Sequence, residues 1–166
     1  MRIPRARFTV CILSAALLAA CGGSTNPSSP TPTPLTQAQI QSRYVAAAGR
    51  YNQGEAQIAL TENASCDAAS VSVALETCQT ALSGQRQLTI AYDNALRAIP
   101  FSAGAATEAG RLLGDDAAIE NLLEQAATSP AIAVIATLQQ QIIALLATAA
   151  TDAVALRAAI GLPAPA

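Results

Sequence analysis

The chain has 166 residues, 52% of them apolar, 3% aromatic and 12% charged, with nine basic residues against eleven acidic ones and no His. All nine basic residues are Arg; their scatter offers no basic patch, which argues against nucleic acid as a partner. Without His the commonest general base and the commonest neutral metal ligand are both missing, and nothing in the composition calls for a cofactor.

The first element is a basic start, MRIPRAR, carrying Arg2, Arg5 and Arg7, followed by an uncharged apolar run from Phe8 to Ala20. This is the pattern of a secretory signal. The run has about 13 residues, too short for a bilayer span, which needs about 20. It ends in Leu18-Ala19-Ala20-Cys21, followed at once by Gly22 and Gly23. These four residues resemble the lipobox of bacterial lipoproteins: a branched apolar residue, two small ones and a cysteine. The resemblance implies cleavage before Cys21, a diacylglyceryl thioether on its sulfur, and acyl-chain attachment of the mature chain to the exported face of a bacterial envelope membrane. Gly22 stands where an inner-membrane retention signal has Asp, and both membranes stay open. Loss of the three signal arginines leaves six Arg against eleven acidic residues, a formal charge of −5.

Gly22 to Pro34, GGSTNPSSPTPTP, reads as a tether, flexible in its Gly/Ser part and extended where Pro alternates. The chain therefore divides into a signal peptide (1–20), a lipidated cysteine and linker (21–34), a folded domain (35–162) and a short tail (163–166).

The domain reads as helix throughout. About a quarter of the chain is Ala, the residue that loses least on entering a helix. Thr36 is placed to cap a first helix whose stripe is Ile40, Tyr44, Ala47, Tyr51, Gly54 and Ile58 and whose pattern fades near Asn63. The two tyrosines a heptad apart read as packing, with hydroxyls at the rim. A second helix carries Leu75, Cys78, Leu82, Gln85, Thr89, Tyr92, Leu96 and Ile99, and Pro100 stops it. The third, about Ser102 to Gln125, is expected to break or kink near Gly114, with Asp115 capping the second piece and Ile119, Leu122 and Leu123 on its buried face. The fourth, Pro130 to about Ile160, has Ile135, Leu138, Ile142, Leu145, Ala149 and Leu156 on one stripe, broadened by Ile132, Ile143, Leu146 and Val154. Pro130 suits its first turn behind a Thr128 or Ser129 cap, and Gly161 and Pro163 suit its end. Gln139, Gln140 and Gln141 argue against a membrane span there. The expected fold is all-α, an antiparallel four-helix bundle, with a three-helix bundle and an irregular third element as the alternative.

Few residues have chemistry to offer. Asp115, Asp116, Glu120 and Glu124 form the one acidic cluster; they read as a solvated helix start in a favourable dipole, and a bundle-type di-iron site would also need His. A serine nucleophile has neither His nor Lys beside it. No catalytic residue, metal ligand or cofactor site is assigned, and the domain is expected not to be an enzyme. Cys66 and Cys78 remain after Cys11 and Cys21 are accounted for, and export permits a disulfide between them. One continuous helix would hold them about 18 Å apart, beyond the reach of a bridge. The bridge thus requires Cys66 near the end of the first helix and Cys78 in the first turns of the second; if Asp67 instead caps an early second helix, the two remain free thiols. The expected role is a non-catalytic envelope module docking a protein partner, or alternatively a carrier holding a small apolar ligand or lipid inside the bundle. A void above about 300 Å³ would favour the carrier.

Overall fold

The structure, a computed structural model, describes residues 34–66 and 75–164. The signal, Cys21 and the linker up to Thr33 lie outside the described residues, as do Asp67 and the segment joining the first two helices. Four helices follow one another: α1 (Gln37–Ser65), α2 (Leu75–Arg97), α3 (Ala103–Thr128) and α4 (Ile132–Ala159). The fold is an all-α four-helix bundle, and the three-helix alternative falls.

Local chemistry sets most of the helix ends. Thr36 caps α1 through its hydroxyl, which accepts from the Gln39 amide at 3.3 Å, while the Gln39 side chain accepts from the Thr36 amide at 2.8 Å. This reciprocal box satisfies two N–H groups that the helix leaves unpaired. At the far end of the chain Gly161 takes φ 73°. Its amide donates to Ala158 and that of Leu162 to Arg157, the pair of bonds that closes a helix on a left-handed glycine. Two expectations fail. The third helix is continuous through Gly114, because the apolar row Leu112, Ile119, Leu123 and Ala126 is buried on both sides of it and packing outweighs the roughly 1 kcal/mol that glycine costs a helix. The fourth starts after Pro130, with Ala131 at its cap and no side-chain bond there; Ser129 turns its hydroxyl to the Ala131 carbonyl.

The helices pack in series, α1 on α2, α2 on α3 and α3 on α4, while α1 and α4 meet sparsely. Neighbours run antiparallel. The Gln79 amide near the start of α2 donates to the Ser129 carbonyl after the end of α3 at 2.7 Å. Cys66, which caps α1, is joined to Cys78 in the first turn of α2, with Cα atoms 5.0 Å apart. The disulfide therefore sits where the sequence requires it. On α2 the expected stripe is the buried face from Cys78 to Ile99. Gly54 lets the Leu88 side chain of α2 seat against α1, since a Cβ there would stand 2.7 Å from Leu88 Cδ1.

On α4 the buried residues are Ile135, Ile142, Ala149 and Leu156, one per heptad. Ile143 and Val154, expected to broaden that stripe, are 57% and 43% exposed. Such a narrow row suffices to pack on one neighbour, α3. By length and composition α4 is apolar enough to cross a membrane, and only 17% of its most apolar window is buried.

Two measurements test this account. Replacing both Cys66 and Cys78 by Ser should lower stability by about 2–3 kcal/mol through the freed unfolded chain, read by urea denaturation. Gly114 has open space around it, so Gly114→Ala should raise stability by about 0.5–1 kcal/mol, whereas Gly161→Ala should lower it by about 1 kcal/mol because of the positive φ.

Candidate functional site

The seam between α1 and α4 is fastened at one end and open along the rest. At the fastened end the Gln37 and Gln41 side-chain amides both donate to the Ile160 carbonyl, at 2.5 and 2.8 Å, and Gln41 also reaches the Gly161 carbonyl at 3.2 Å. Those carbonyls lie past the last turn of α4, where no intrahelical donor follows. Further along, the Tyr44 hydroxyl donates to the Ala153 carbonyl at 3.5 Å. Beyond that bond two cavities lie between the helices. One, of about 340 Å³, is lined by Tyr44, Tyr51, Asn52 and Glu55 of α1, Tyr92 of α2, Leu112 and Asp116 of α3, and an apolar strip of α4 from Leu146 to Val154 with Arg157 at its end. The other, of about 510 Å³, is lined by Ile58, Glu62, Leu82, Gln85, Gln139, Ile142 and Ile143 among others. Glu55 and Leu146 line both.

All three tyrosines of the chain line the smaller cavity. Tyr51 and Tyr92 lie with ring centroids 5.0 Å apart at 39°, and the hydroxyls of Tyr92 and Tyr44 face each other. The reading of Tyr44 and Tyr51 as rim packing is thereby corrected: Tyr44 is 2% exposed and both residues line the cavity. Burial raises all three hydroxyls, with Tyr51 pushed up to about 12, helped by the charge of Glu55. They are neutral hydrogen-bond donors at any physiological pH.

The acidic cluster also reads differently in three dimensions. Asp116 is no solvated helix start; it lies in the middle of α3, 5% exposed, in register with Leu112, Ile119 and Leu123. It meets Asp93 of α2, which is 1% exposed and accepts from Arg97 Nη2 at 2.9 Å. Asp93 Oδ1 and Asp116 Oδ2 are buried with no protein donor. A proton held between the two carboxyls answers both. Burial first, then the hydrogen bond to Asp93 and its charge, push Asp116 up to about 8, with Glu120 and Asp115 adding repulsion. Burial raises Asp93 as well, against the pull of Arg97. Elsewhere in the cluster Glu124 pairs with Arg86 at 3.2 Å on the surface, and Glu120 is raised by partial burial and by Asp93. In the larger cavity Glu62 is raised by burial and by Glu55.

Asp93 and Tyr92 escaped the sequence reading as site residues. The signal was there for the carboxylates: each occupies an apolar stripe, Asp93 between Thr89 and Leu96 and Asp116 between Leu112 and Ile119. Cys66 and Cys78 lie at the end of the α1–α2 pair, with Cys66 on the larger cavity's wall. Among the described residues no three His, Cys, Asp or Glu side chains come together to hold a metal ion. Comparison with protein-family models, curated proteins and solved structures finds no match.

Chemically, the smaller cavity offers neutral tyrosine hydroxyls, the carboxyl groups of Asp116 and Glu55, the Arg157 guanidinium and an apolar wall. Only Asp116 of the carboxyl pair lines it.

The pair makes stability depend on pH. Asp116 binds its proton more tightly folded than unfolded, so between about 4 and about 8 the native state holds more protons and stability falls as pH rises. The slope for one retained proton is about 1.4 kcal/mol per pH unit. Asp116→Asn should raise stability at pH 7 and flatten the profile between pH 5 and 8, as followed by thermal melts across that range.

Proposed function

We propose that this chain is a lipid-anchored protein of the bacterial cell envelope whose helical domain is a non-catalytic binding module, taking a small amphipathic molecule into the α1–α4 seam. The observation that carries the reading is the seam itself. It holds cavities of about 340 and 510 Å³ in the size range of small-molecule sites, both walled in part by apolar residues of α4, the smaller one lined also by three tyrosines, Asp116 and Glu55. A non-catalytic role is supported by the state of the buried carboxyl pair: Asp93 is enclosed and tied to Arg97, so the pair puts only Asp116 on the cavity wall, where Glu55 of α1 also lies. The anchor rests on the lipobox ending at Cys21, with acyl burial contributing about 0.8 kcal/mol per CH₂.

A second reading has its own observation. Ile143 and Val154 on α4 are 57% and 43% exposed on the face that lines the cavities, an uncovered apolar strip of the kind that a protein partner covers. Site-specific crosslinking from position 143 would capture that partner.

Both parts of the main reading are testable. Cys21→Ala should abolish palmitate incorporation and leave an uncleaved precursor; labelling unchanged by the substitution refutes the anchor. For the seam, the chain has three tyrosines and no Trp, so its intrinsic emission reports on this cavity alone. At least one of the eight-carbon amphiphiles octylammonium, octanol and octanoate should change that emission saturably. Ala150→Phe, which fills the cavity from an exposed position on α4, should reduce the effect at least tenfold.

A further inference from the structure

The polar end of any ligand in the smaller cavity meets a definite set of groups. Asp116 and Glu55 line it, with Asp93 directly behind Asp116. Of the residues lining it, Arg157 alone is cationic, and its Nε is committed to the Pro163 carbonyl at 3.0 Å. The rings of Tyr44, Tyr51 and Tyr92 complete the wall. Asp116 is nine-tenths buried and its Oδ2 has no protein donor. We propose that the smaller cavity binds an organic cation, an amine or alkylammonium head set against Asp116 and the tyrosine rings, with its apolar tail lying along α4 toward Leu146. This deepens the reading of the seam as a ligand site and rests on it.

Each competing head group meets an obstacle in this cavity. An anion would bring a second negative charge up to a carboxyl pair that shares one proton, with Glu55 on the same wall. A metal ion lacks three convergent ligands among the described residues, and the aromatic wall offers it no donors. A neutral head group leaves the pair's proton in place and gains nothing from its charge. An ammonium can donate to Asp116 in place of the proton it displaces, and aromatic faces attract it further.

Binding then exchanges one cation for another. With Asp116 pushed up to about 8, the empty site holds a proton at neutral pH, and the incoming ammonium expels it. The other groups facing Asp116 are Asp93 from α2, Asp115 and Glu120 from α3, and Tyr51 and Tyr92. Arg97 acts on it through Asp93, Tyr44 through Tyr92, and Glu55 of α1 and Arg157 of α4 share the cavity. None of the tyrosines loses its proton below pH 8, so the exchange belongs to the carboxyl pair.

The experiment is calorimetry of the folded exported chain with octylammonium, octanol and octanoate, at pH 6, 7 and 8, in two buffers of different ionisation heat. Octylammonium stays charged throughout, an alkylamine titrating near 10.4 as Lys does. It should bind at least tenfold more tightly than the other two at pH 7. Its affinity should rise with pH from 6 to 8, by up to about tenfold per unit, and the buffer dependence should report release of a proton. Asp116→Asn, expected to fold at least as stably, should lose the preference, the pH dependence and the proton release together. Octanol binding as tightly as octylammonium, or octanoate binding more tightly, overturns the cation proposal and leaves the seam as a ligand site. Octylammonium binding with no proton release, or unchanged in Asp116→Asn, overturns it as well. Binding by none of the three overturns the seam reading beneath it.

Discussion

The structure turns on how little of α4 is fully buried. Ile135, Ile142, Ala149 and Leu156 are spaced seven apart and are the buried residues of a 28-residue helix. Ile132, Leu138, Leu145, Leu146 and Ala153 flank that row only half-buried, and the helix packs chiefly on one partner, α3. A helix enclosed in a closed bundle would bury a broader stripe, three or four residues in every two turns. The fourth side of this bundle is therefore incomplete, and the cavities follow from that.

What keeps α1 from parting altogether is chemistry at the two ends. At one end Gln37 and Gln41 supply the donors that the last carbonyls of α4 need. At the other the Cys66–Cys78 bridge ties α1 to α2 rather than to α4. The burial along α1 follows the same division. Ile40, Tyr44 and Ala47 are buried next to the fastened end, whereas Tyr51, Gly54 and Ile58 are half-buried where the seam is open. A clasp at one end of a seam and a covalent tie at the other make a cleft whose width the α4 side chains set.

Asp93 and Asp116 stand behind that cleft at a cost to stability. Two carboxyls brought together out of water cannot both ionise, and a leucine at position 116 would extend the stripe from Leu112 to Ile119 without that penalty. Stabilising apolar packing has been forgone at a position that lines a cavity. Such a local conflict between pattern and chemistry is where binding sites are found. The neighbouring tyrosines carry the same mark: three of the five aromatic residues in the chain converge on one wall.

The sequence by itself determined the helices and much of their faces. The 3.6-residue period, the Thr36 cap, Pro100 and Gly161 act over a turn or two of chain, and local forces of that range are legible in a string of residues. The α2 stripe from Cys78 to Ile99 was read almost residue for residue, and the cysteine spacing limited the disulfide to a junction between helices. Only the tertiary structure decided which stripe met which. Ile143 and Val154 look like core by hydropathy, but their exposure depends on α1 standing off from α4, a relation between residues about a hundred positions apart. The pairing of Asp93 with Asp116 is of the same kind: each carboxylate could be seen to interrupt a stripe, yet that two interruptions on different helices share one proton follows from how α2 and α3 are packed together, and no local period encodes that.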